Sequence, residues 1–581
     1  MGPSMSQPHC ESLNSTNNSS STLASNGSPI EKPRNGIAGL KHWKHDIVAG
    51  FVVALISLPF SLGIAVASGA PPITGITSAI IAGFVLPLFG GSYVTISGPA
   101  AGLAPALMAG MLTLGHGNLA TGYPLLLVAI FFAGILQILL YRFKMARYSA
   151  IFPAPVVEGM LCAIGLMIIV KQIPLIEGTT FHEKDVFGIL REFPSQLPTI
   201  LDHPLVIELG LFSLVMIFGL SMIQSPVLKV VPPLVFVVVI GSALAWFLGL
   251  ESKYLVQIPE NPLSHGIVTP DFKTIFQDSS LWLSCATLVL TLTMIDGVES
   301  LATIAAIDKI DPYKRRSNPD RTLLAIGVSK IVSSLAGGLT IIPGGVKSTA
   351  NIMAGGKTQW ASFYNACFLL GMLLFLRDII NLFPYPVLAA VLIFTGYKLC
   401  KPSIWIHMYK IGPEQLVVFS VTAVVTICTD LLVGIFAGIF AKCLVTAWNV
   451  VSIERQLQSN RSWLVSISSL FQDPVSKVEL QDRIFHVYAE GPLCCFNVLA
   501  FSRALESVPA EANTIRLHFG EGVRLIDHTT RENLLSWIDE SHVVGIHPIE
   551  LVGWGRMAPR TMHISSMCVL DTEHILAAGM D

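Results

Sequence analysis

The chain has 581 residues, of which 52% are hydrophobic and 13% charged, and its formal net charge is −2. Soluble domains carry roughly a quarter charged residues, so water is not the main solvent of this chain. A near-zero net charge without a basic stripe argues against a nucleic-acid partner, because binding to phosphates needs clustered Lys and Arg. The ten cysteines are scattered without CxxC spacing, which predicts neither a disulfide framework nor a zinc site.

The N-terminal residues 1–37 are rich in Ser and Asn and lack the order of a signal peptide, so we expect a disordered cytoplasmic tail. A transmembrane domain is expected over 38–452, because about fourteen apolar stretches recur there with lengths suited to membrane-spanning helices. The predicted spans are 47–67, 74–90, 99–114, 122–141, 150–171, 205–223, 228–249, 281–304, 322–338, 345–354, 361–376, 383–398, 414–428 and 430–450.

Two of these stretches are too short to cross a bilayer and are flanked by Gly and Pro. One begins after the motif Ser-Gly-Pro at 97–99, and the other begins after the motif Pro-Gly-Gly at 343–345. Such segments are typical of helices that are broken near the membrane midplane. The N-terminus of a broken helix carries free N–H groups and the positive end of the helix dipole, so the pair indicates an anion site.

Lys and Arg concentrate in four loops, namely those before the first predicted helix and between helices 4 and 5, 8 and 9, and 12 and 13. With fourteen spans, all four loops fall on one side of the membrane. The positive-inside rule therefore predicts that both termini are cytoplasmic, in a protein of the plasma (inner) membrane.

Beyond residue 452 the composition becomes that of a soluble domain, and we expect a linker at 453–470 and a small α/β domain at 471–581. Residue alternation predicts two strands, and apolar periodicity predicts two helices, in the order strand 484–488, helix 498–505, strand 514–519 and helix 529–538. No nucleophile–base pattern or Cys/His metal set emerges there, which favours a regulatory and dimer-supporting module over an enzyme.

Motifs in a fixed order along the chain resemble those of the sulfate permease (solute carrier 26) family, and the last two resemble a STAS domain. They are Leu-Pro (58–59), Ala-Ser-Gly-Ala-Pro-Pro (67–72), Phe-Gly-Gly (89–91), Ser-Gly-Pro (97–99), Glu-Ser-Leu-Ala-Thr (299–303), Leu-Ala-Gly-Gly (335–338), Gly-Val-Lys-Ser-Thr-Ala-Asn (345–351), Gly-Pro-Leu (491–493) and Leu-Ile-Asp (525–527). The resemblance covers nearly all of 40–575. It implies an α-helical polytopic membrane protein with two inverted seven-helix repeats, forming a core domain and a gate domain, followed by a small α/β STAS-like domain.

The resemblance also implies that helices 1–4 and 8–11 form the core, with the anion between the two half-helix N-termini. The residues expected to bind the anion are Phe60, Gly98, Ala100, Ala101, Gly102, Gly344, Gly345, Val346 and Lys347. The small residues would let an anion reach the backbone, although they could instead serve only close helix packing. Lys347 stands where the family usually has Arg, so it supplies charge without a bidentate fork.

Three residues of the eighth predicted helix are expected to couple a cation, namely Asp296, Glu299 and Thr303. By resemblance, Glu299 aligns with the acidic residue that the family associates with cation or proton coupling. Asp296 lies three residues earlier on the same face, and two close carboxylates disfavour joint ionisation. Thr303 lies one turn after Glu299, and their oxygens suit Na⁺. Two alternatives are a structural ion pair between Glu299 and Lys347, and a Thr303 hydroxyl that bonds only to its own helix.

The resemblance to STAS domains also implies that Asp527 occupies the tip where related soluble antagonists place a phosphorylatable serine. The next residue is His528, which leaves Thr529 and Thr530 as candidate sites of modification. We also note Glu158, an unusual acid near the start of the fifth predicted helix, which could be a solvated helix-end charge.

These observations favour a secondary active transporter of a small inorganic anion, coupled to Na⁺ or H⁺ by an elevator-like movement of core against gate. We expect a homodimer in the lipid bilayer and no cofactor other than a coupling ion. Bicarbonate is favoured over sulfate, because an apolar-walled site with one lysine and nearby acids suits a doubly charged anion poorly. The alternatives are a passive channel or an exchanger of the same fold, for chloride or oxalate, and a membrane scaffold.

Overall fold

The computed structural model describes residues 32–146, 152–179, 181, 186–200, 204–223, 225, 232–261, 267–456, 463–509, 511–544 and 548–571. Most of the predicted N-terminal tail, part of the linker (457–462) and the C-terminal residues 572–581 lie outside these ranges, as do the first residues of the predicted spans 150–171 and 228–249.

Helices dominate the part of the structure that precedes the linker. They are α1 (Trp43–Ala67), α2 (Pro72–Phe89), α3 (Ala104–Leu114), α4 (Leu119–Arg142), α5 (Ala154–Glu177), α6 (Val186–Ile200), α7 (Pro204–Met222), α8 (Pro233–Phe247), α9 (Phe272–Gln277), α10 (Ser280–Ile310), α11 (Pro319–Leu335), α12 (Gly345–Met353), α13 (Trp360–Phe375), α14 (Arg377–Ile380), α15 (Tyr385–Leu399), α16 (Pro402–Ile411), α17 (Pro413–Cys428) and α18 (Leu431–Gln456).

Every predicted span contains one of these helices, which confirms the predicted fold class. Within the described residues, eight helical stretches are long and apolar enough to cross a membrane, and four shorter apolar helices accompany them. Four short or amphipathic helices, α6, α9, α14 and α16, were not predicted. Their lengths and polarity fall outside the pattern of a membrane span.

Local sequence explains where several helices begin and end. The Asn118 side chain accepts a hydrogen bond from the backbone N–H of Ala120 and caps α4. Asn318 caps α11 in the same way through Arg321, and Pro319 follows it in the first turn, where a missing N–H costs nothing. Helix α5 ends at Gly178, whose φ of 72° is a left-handed conformation that glycine adopts without strain.

The membrane helices pack in two groups. In the first group α4 packs along α11, and α13 packs against α1 and α2. In the second group α5 packs against α15 and α17, α7 against α15, and α17 against α18. The main contact between the groups runs between α1 and α15. The two groups correspond to the predicted core and gate.

The predicted span 99–114 is wrong at its start. The chain is extended as β1 (Ser97–Pro99), makes a single turn at Ala101–Leu103, and becomes α-helical only at Ala104. Pro99 disfavours a helical conformation in the residue before it, which explains the extended entry. An equivalent strand, β2 (Ile341–Pro343), precedes α12 and pairs with β1 in antiparallel register.

The region after α18 forms a separate α/β domain with its own hydrophobic core, and the expected linker 453–470 is partly helical, because α18 runs to Gln456 and a short helix begins at Trp463. Its elements are α19 (Trp463–Ser468), β3 (Val475–Gln481), β4 (Ile484–Ala489), α20 (Val498–Glu506), β5 (Thr514–Phe519), β6 (Leu525–Ile526), α21 (His528–Val544), β7 (Ile549–Val552), β8 (Met557–Pro559) and β9 (Cys568–Leu570). The main sheet has the order β3-β4-β5-β7, with β4, β5 and β7 parallel. The predicted alternation of two strands and two helices is confirmed, and the domain is consistent with a STAS fold.

Candidate anion site

The two half-helices α3 and α12 meet through the strands that precede them. In the antiparallel pair, Ser97 lies opposite Pro343 and Pro99 opposite Ile341. The N–H of Gly344 extends the ladder by donating to the carbonyl of Ile96 over 2.9 Å. Because the strands run in opposite directions, each one delivers its half-helix N-terminus to the same region from an opposite side.

Side chains of α12 reinforce this crossing. The Ser348 hydroxyl accepts a hydrogen bond from the N–H of Ile96 over 3.0 Å, and the Asn351 side chain donates to the carbonyl of Val94 over 2.7 Å. Both side chains are fully buried. The backbone that leads into β1 is therefore held by α12, and the two half-helices form one bonded unit.

The glycines of the site face functional groups of other side chains. A methyl group at Gly98 would lie 2.5 Å from the Lys347 ammonium nitrogen, and one at Gly102 would lie 2.7 Å from a carboxylate oxygen of Glu299. A methyl group at Gly345 would meet only the Thr303 methyl, at 4.0 Å. Gly98 and Gly102 thus make room for charged groups, and Gly345 borders open space, which packing of helix against helix does not explain.

The other small residues of the predicted site differ in exposure. Ala100 is fully buried, Ala101 is half-buried, and the side chain of Val346 is exposed on α12. Gly344 faces the Ile96 carbonyl, 3.3 Å from where its methyl group would be. Their direct contact with an anion stays a prediction.

Lys347 is buried in the first turn of α12. Its ammonium group donates to the Ser61 hydroxyl over 3.2 Å and lies 5.6 Å from the centre of the Phe60 ring. Within the described ranges, no carboxylate lies at ion-pair distance from Lys347, so the alternative of a structural pair with Glu299 is not formed. The Lys347 ammonium group therefore lies beside the Phe60 ring and has no charged partner within the described residues.

Glu299 lies on α10 with its carboxylate against the first turn before α3. Its Oε2 atom is buried and has no hydrogen-bond partner among the described residues. A buried carboxylate oxygen without a partner costs free energy, which a bound cation or a proton would offset. Thr303 lies one turn later and faces Gly345. The unpartnered oxygen of Glu299 fits the expected coupling ion, whereas the part of Thr303 in binding that ion stays a prediction.

Asp296 lies one turn before Glu299 but is bonded elsewhere. It is fully buried and forms an ion pair with Lys330 of α11, and it accepts a hydrogen bond of 2.9 Å from the Thr340 hydroxyl. Its role in coupling stays a prediction. Lys330 was not among the predicted site residues, although a single lysine within the apolar run of α11 is itself a signal, because ionisable groups are expensive in a bilayer.

The STAS-like domain contacts helices of the gate group. The carboxylate of Asp527 lies 3.3 Å from the ammonium nitrogen of Lys442 on α18, and both side chains are buried. The Thr561 hydroxyl donates to the carbonyl of Lys410 over 2.9 Å. Thr529 accepts a hydrogen bond from the N–H of Ala154 at the start of α5 over 3.3 Å.

Two expectations for this interface are corrected. Thr529 and Thr530 are buried, at 6% and 1% exposure, so neither hydroxyl is accessible to a kinase in this arrangement. Glu158 is half-buried on α5, one turn after Ala154, and is not a fully solvated helix-end charge.

Electrostatics stabilise the buried Asp527. Burial alone would raise the pKa of this carboxyl, but Lys442 and the hydrogen bonds donated by Thr530 and Cys495 hold the pKa below its usual value. Asp527 is therefore ionised at neutral pH and completes a charge pair that joins the two domains.

Comparison with known proteins gives a consistent result. The model of the family described as "Sulfate permease family" matches residues 43–422. A bicarbonate transporter, BicA of Picosynechococcus sp., is 26% identical over 428 residues, which cover 72% of each chain. A putative sulfate transporter, YvdB of Bacillus subtilis, is 24% identical over 406 residues, covering 69% of this chain and 73% of that one.

Solved structures have the same fold. The transmembrane domain of a cyanobacterial BicA matches with a TM-score of 0.59 and 22% identity, covering 68% of this chain and 97% of that one. The structure of SLC26A9 matches with a TM-score of 0.61 and 16% identity, over 88% of this chain and 84% of the other. The second likeness extends over the membrane helices and the C-terminal domain together.

Proposed function

We propose that this chain, which belongs to the sulfate permease family and is an integral membrane anion transporter, carries bicarbonate by secondary active transport coupled to Na⁺ or H⁺. One relative is described as a bicarbonate transporter and another as a putative sulfate transporter, so family membership alone leaves the anion open. We choose between bicarbonate and sulfate from the charges around the N-termini of the two half-helices.

The observation that carries the proposal is the charge balance at the pair of half-helices. Lys347 supplies one ammonium group, and the N-termini of α3 and α12 add partial positive charge. Glu299 adds a carboxylate on the other side of Gly102. One ammonium matches a singly charged anion, whereas a doubly charged sulfate would leave excess negative charge beside a carboxylate. The Phe60 ring beside Lys347 also suits a weakly hydrated anion better than sulfate.

Glu299 and Thr303 are the residues proposed to bind the coupling ion. When Na⁺ or H⁺ neutralises Glu299, the repulsion between this carboxylate and an anion at the α3 N-terminus falls. The buried Oε2 has no hydrogen-bond partner among the described residues, which supports this role, because a purely structural carboxylate would have its hydrogen bonds satisfied. Cation and anion would then bind together, which is the thermodynamic basis of symport.

An elevator-like movement is the proposed route across the membrane. The half-helices belong to the core group and are bonded to each other, whereas the gate helices are fastened to the STAS-like domain. Core and gate meet chiefly along α1 and α15. A bonded core can move past the gate as a unit without breaking the crossing that forms the anion site. We also propose that the protein is a homodimer in the plasma membrane, with both termini cytoplasmic.

The test is uptake by the purified full-length protein in proteoliposomes. Labelled bicarbonate, sulfate, chloride and oxalate are supplied with and without a Na⁺ or pH gradient. We expect bicarbonate uptake against its gradient that needs one of the two cations. Flux of chloride or oxalate that only follows its own gradient would indicate a passive channel, and uptake that needs a counter-anion would indicate an exchanger.

Variants of Lys347 tie this activity to the site. Lys347→Met removes the charge at nearly constant volume and should raise the apparent KM for bicarbonate at least tenfold, about the cost of a hydrogen bond to a charged group. The control is Thr113→Val near the far end of α3, where the hydroxyl bonds only to its own helix. Equal affinities in both variants would move the anion site elsewhere.

A further inference from the structure

Lys330 is a fully buried lysine of the core that the proposed mechanism does not use. Its ammonium group pairs with Asp296 of α10, which is equally buried. Taking two charges out of water is expensive, and removing either partner would leave the other uncompensated. The geometry around the pair indicates what the pair does.

The third member of the cluster is Thr340, which is also fully buried. Its hydroxyl donates to the same carboxylate oxygen of Asp296 that receives Lys330, over 2.9 Å. Thr340 immediately precedes β2. The charge pair therefore holds the residue from which the strand starts.

The neighbouring residue, Leu339, is held on two further sides. Its N–H donates to the Ser78 hydroxyl of α2 over 2.6 Å, and its carbonyl accepts from the Ser333 hydroxyl of α11 over 2.7 Å. Helices α2, α10 and α11 thus all bond to the two residues that lead into β2. We call Asp296, Lys330 and Thr340 the β2 clamp.

The β2 clamp sits between the two halves of the proposed site. Strand β2 leads directly into α12 and Lys347, whereas Asp296 lies one turn from Glu299 on α10. The clamp is therefore a direct side-chain bond between the helix that carries the coupling carboxylate and the strand that places the anion-binding half-helix.

We infer that Lys330 is a positioning residue for anion binding: it holds Asp296 in place for Thr340 and so fixes the N-terminus of α12 relative to Glu299. This inference rests on the proposed location of the anion site. It also gives the two acids of α10 different proposed roles, because Oδ2 of Asp296 is bonded to Lys330 and Thr340, whereas Oε2 of Glu299 has no hydrogen-bond partner among the described residues. Asp296 thereby takes a positioning role in this inference, and the double variant described below decides whether it also takes part in cation coupling.

Thr340 offers the least invasive test. Thr340→Val keeps the shape and removes the hydroxyl, whereas Thr340→Ser keeps the hydroxyl. We expect Thr340→Val to raise the KM of the transported anion about tenfold with little change in maximal rate, and Thr340→Ser to stay within about twofold of wild type. Ser329→Ala is the matched control, since this buried hydroxyl on α11 bonds only to the carbonyl of Ala325 in its own helix.

The charge pair is tested with a second set of variants in the same proteoliposomes. Lys330→Arg keeps the charge and should retain a near-normal KM. The double variant Asp296→Asn with Lys330→Met removes both charges, so it avoids an unpaired ion, and it should raise the KM while uptake keeps the wild-type dependence on Na⁺ or pH.

Two results would overturn the inference. One is an equal effect of Thr340→Val and Thr340→Ser on the KM, or an effect only on thermal stability. The other is loss of the cation dependence in the double variant, which would return Asp296 to the coupling site. The comparison uses bicarbonate, or sulfate or chloride if wild type carries that anion instead. A wrong substrate or a missing cation dependence in wild type would thus refute the proposed function, while the KM comparison would still decide the clamp.

Discussion

The ammonium nitrogen of Lys442 and the carboxylate of Asp527 lie 3.3 Å apart, at 2% and 1% exposure, and join the last membrane helix to the C-terminal domain. The Gln415 side chain of α17 lies 3.3 Å from the same ammonium group. Two elements of the gate and one of the STAS-like domain thus share one buried charge pair.

Breaking this pair should destabilise the full-length protein. Asp527→Asn leaves Lys442 buried without a charged partner, so we expect a loss of about 3–5 kcal/mol. Adding Lys442→Met should restore most of the stability. Glu550→Gln is the control, because the pair of Glu550 with Arg516 is partly exposed to solvent and worth about 0–1 kcal/mol. Thermal unfolding in detergent measures all of these, and a single variant as stable as the double one would contradict the prediction.

Docking of the STAS-like domain should weaken in mild acid. Burial lowers the pKa of His528, and burial together with His407 and Arg531 lowers the pKa of His563. The rings of His407 and His563 meet at 5.0 Å across the interface. The undocked state therefore binds protons more readily, and stability is lost as the pH falls below about 6.5, the ordinary pKa of histidine.

We expect the unfolding temperature to fall between about pH 7.5 and 5.5, the range in which histidine titrates. Glu532 lies 3.8 Å from His528 and opposes the effect, while Asp527 stays ionised because its pKa is lowered. The double variant His528→Asn with His563→Asn should flatten the pH profile. His45→Asn, at an exposed position at the start of α1, should leave the profile unchanged, and an equal flattening by both variants would place the sensitivity elsewhere.

Filling the space beside Gly345 should stop transport without unfolding the protein. A methyl group there meets only the Thr303 methyl, at 4.0 Å, so Gly345→Leu places bulk where the α12 N-terminus would meet the anion. Gly371→Leu is the matched control, since Gly371 also borders open space but on α13. Normal uptake by the Gly345 variant, at normal expression and melting temperature, would exclude this surface as part of the site. Ala101→Leu tests the α3 side of the site in the same way.

Replacing Glu299 by Gln should remove cation dependence and leave folding intact. The change removes the carboxylate charge of Glu299 at nearly constant shape. Because the Lys347 ammonium group is hydrogen-bonded to Ser61 and not to Glu299, the change leaves no buried cation without its partner. Uptake measured against Na⁺ and pH should then become independent of both, with Glu158→Gln on α5 as the control. A loss of about 3–5 kcal/mol that Lys347→Met rescues would instead reveal a structural pair formed by these two residues.

Sequence predicts the membrane helices well because length and apolarity are local properties, and a bilayer imposes both. It also predicts the two half-helices, since Gly and Pro mark the breaks. The β1–β2 pair is different, because strands of three residues have no periodicity of their own and depend on a partner distant in the chain.

The candidate site shows the same contrast between local properties, which sequence predicts, and contacts between distant segments, which it does not. Glu299, Thr303 and Lys347 could be chosen from residue type and order, whereas their partners could not. Neither the match of Lys330 to Asp296 nor the bond of Lys347 to Ser61 follows from spacing, because each joins separate helices. The missed lysine also shows that a buried charge should always prompt a search for its counter-charge.

The pairing of β1 with β2 has a consequence for biogenesis. Ser97 and Pro343 are partners, yet they lie just before the third and the tenth predicted helical segments. During synthesis at about 5–20 residues per second, roughly 10–50 s separate their emergence from the ribosome. Until Pro343 emerges, the backbone groups of 97–99 lie in or beside the bilayer without the hydrogen bonds to their partner strand. An unsatisfied peptide group costs several kcal/mol there. The first half of the nascent chain must therefore be held by the insertion machinery, or remain at the membrane surface, until the second half has been made. A truncated first repeat expressed alone should be recognised by the cell as incompletely folded.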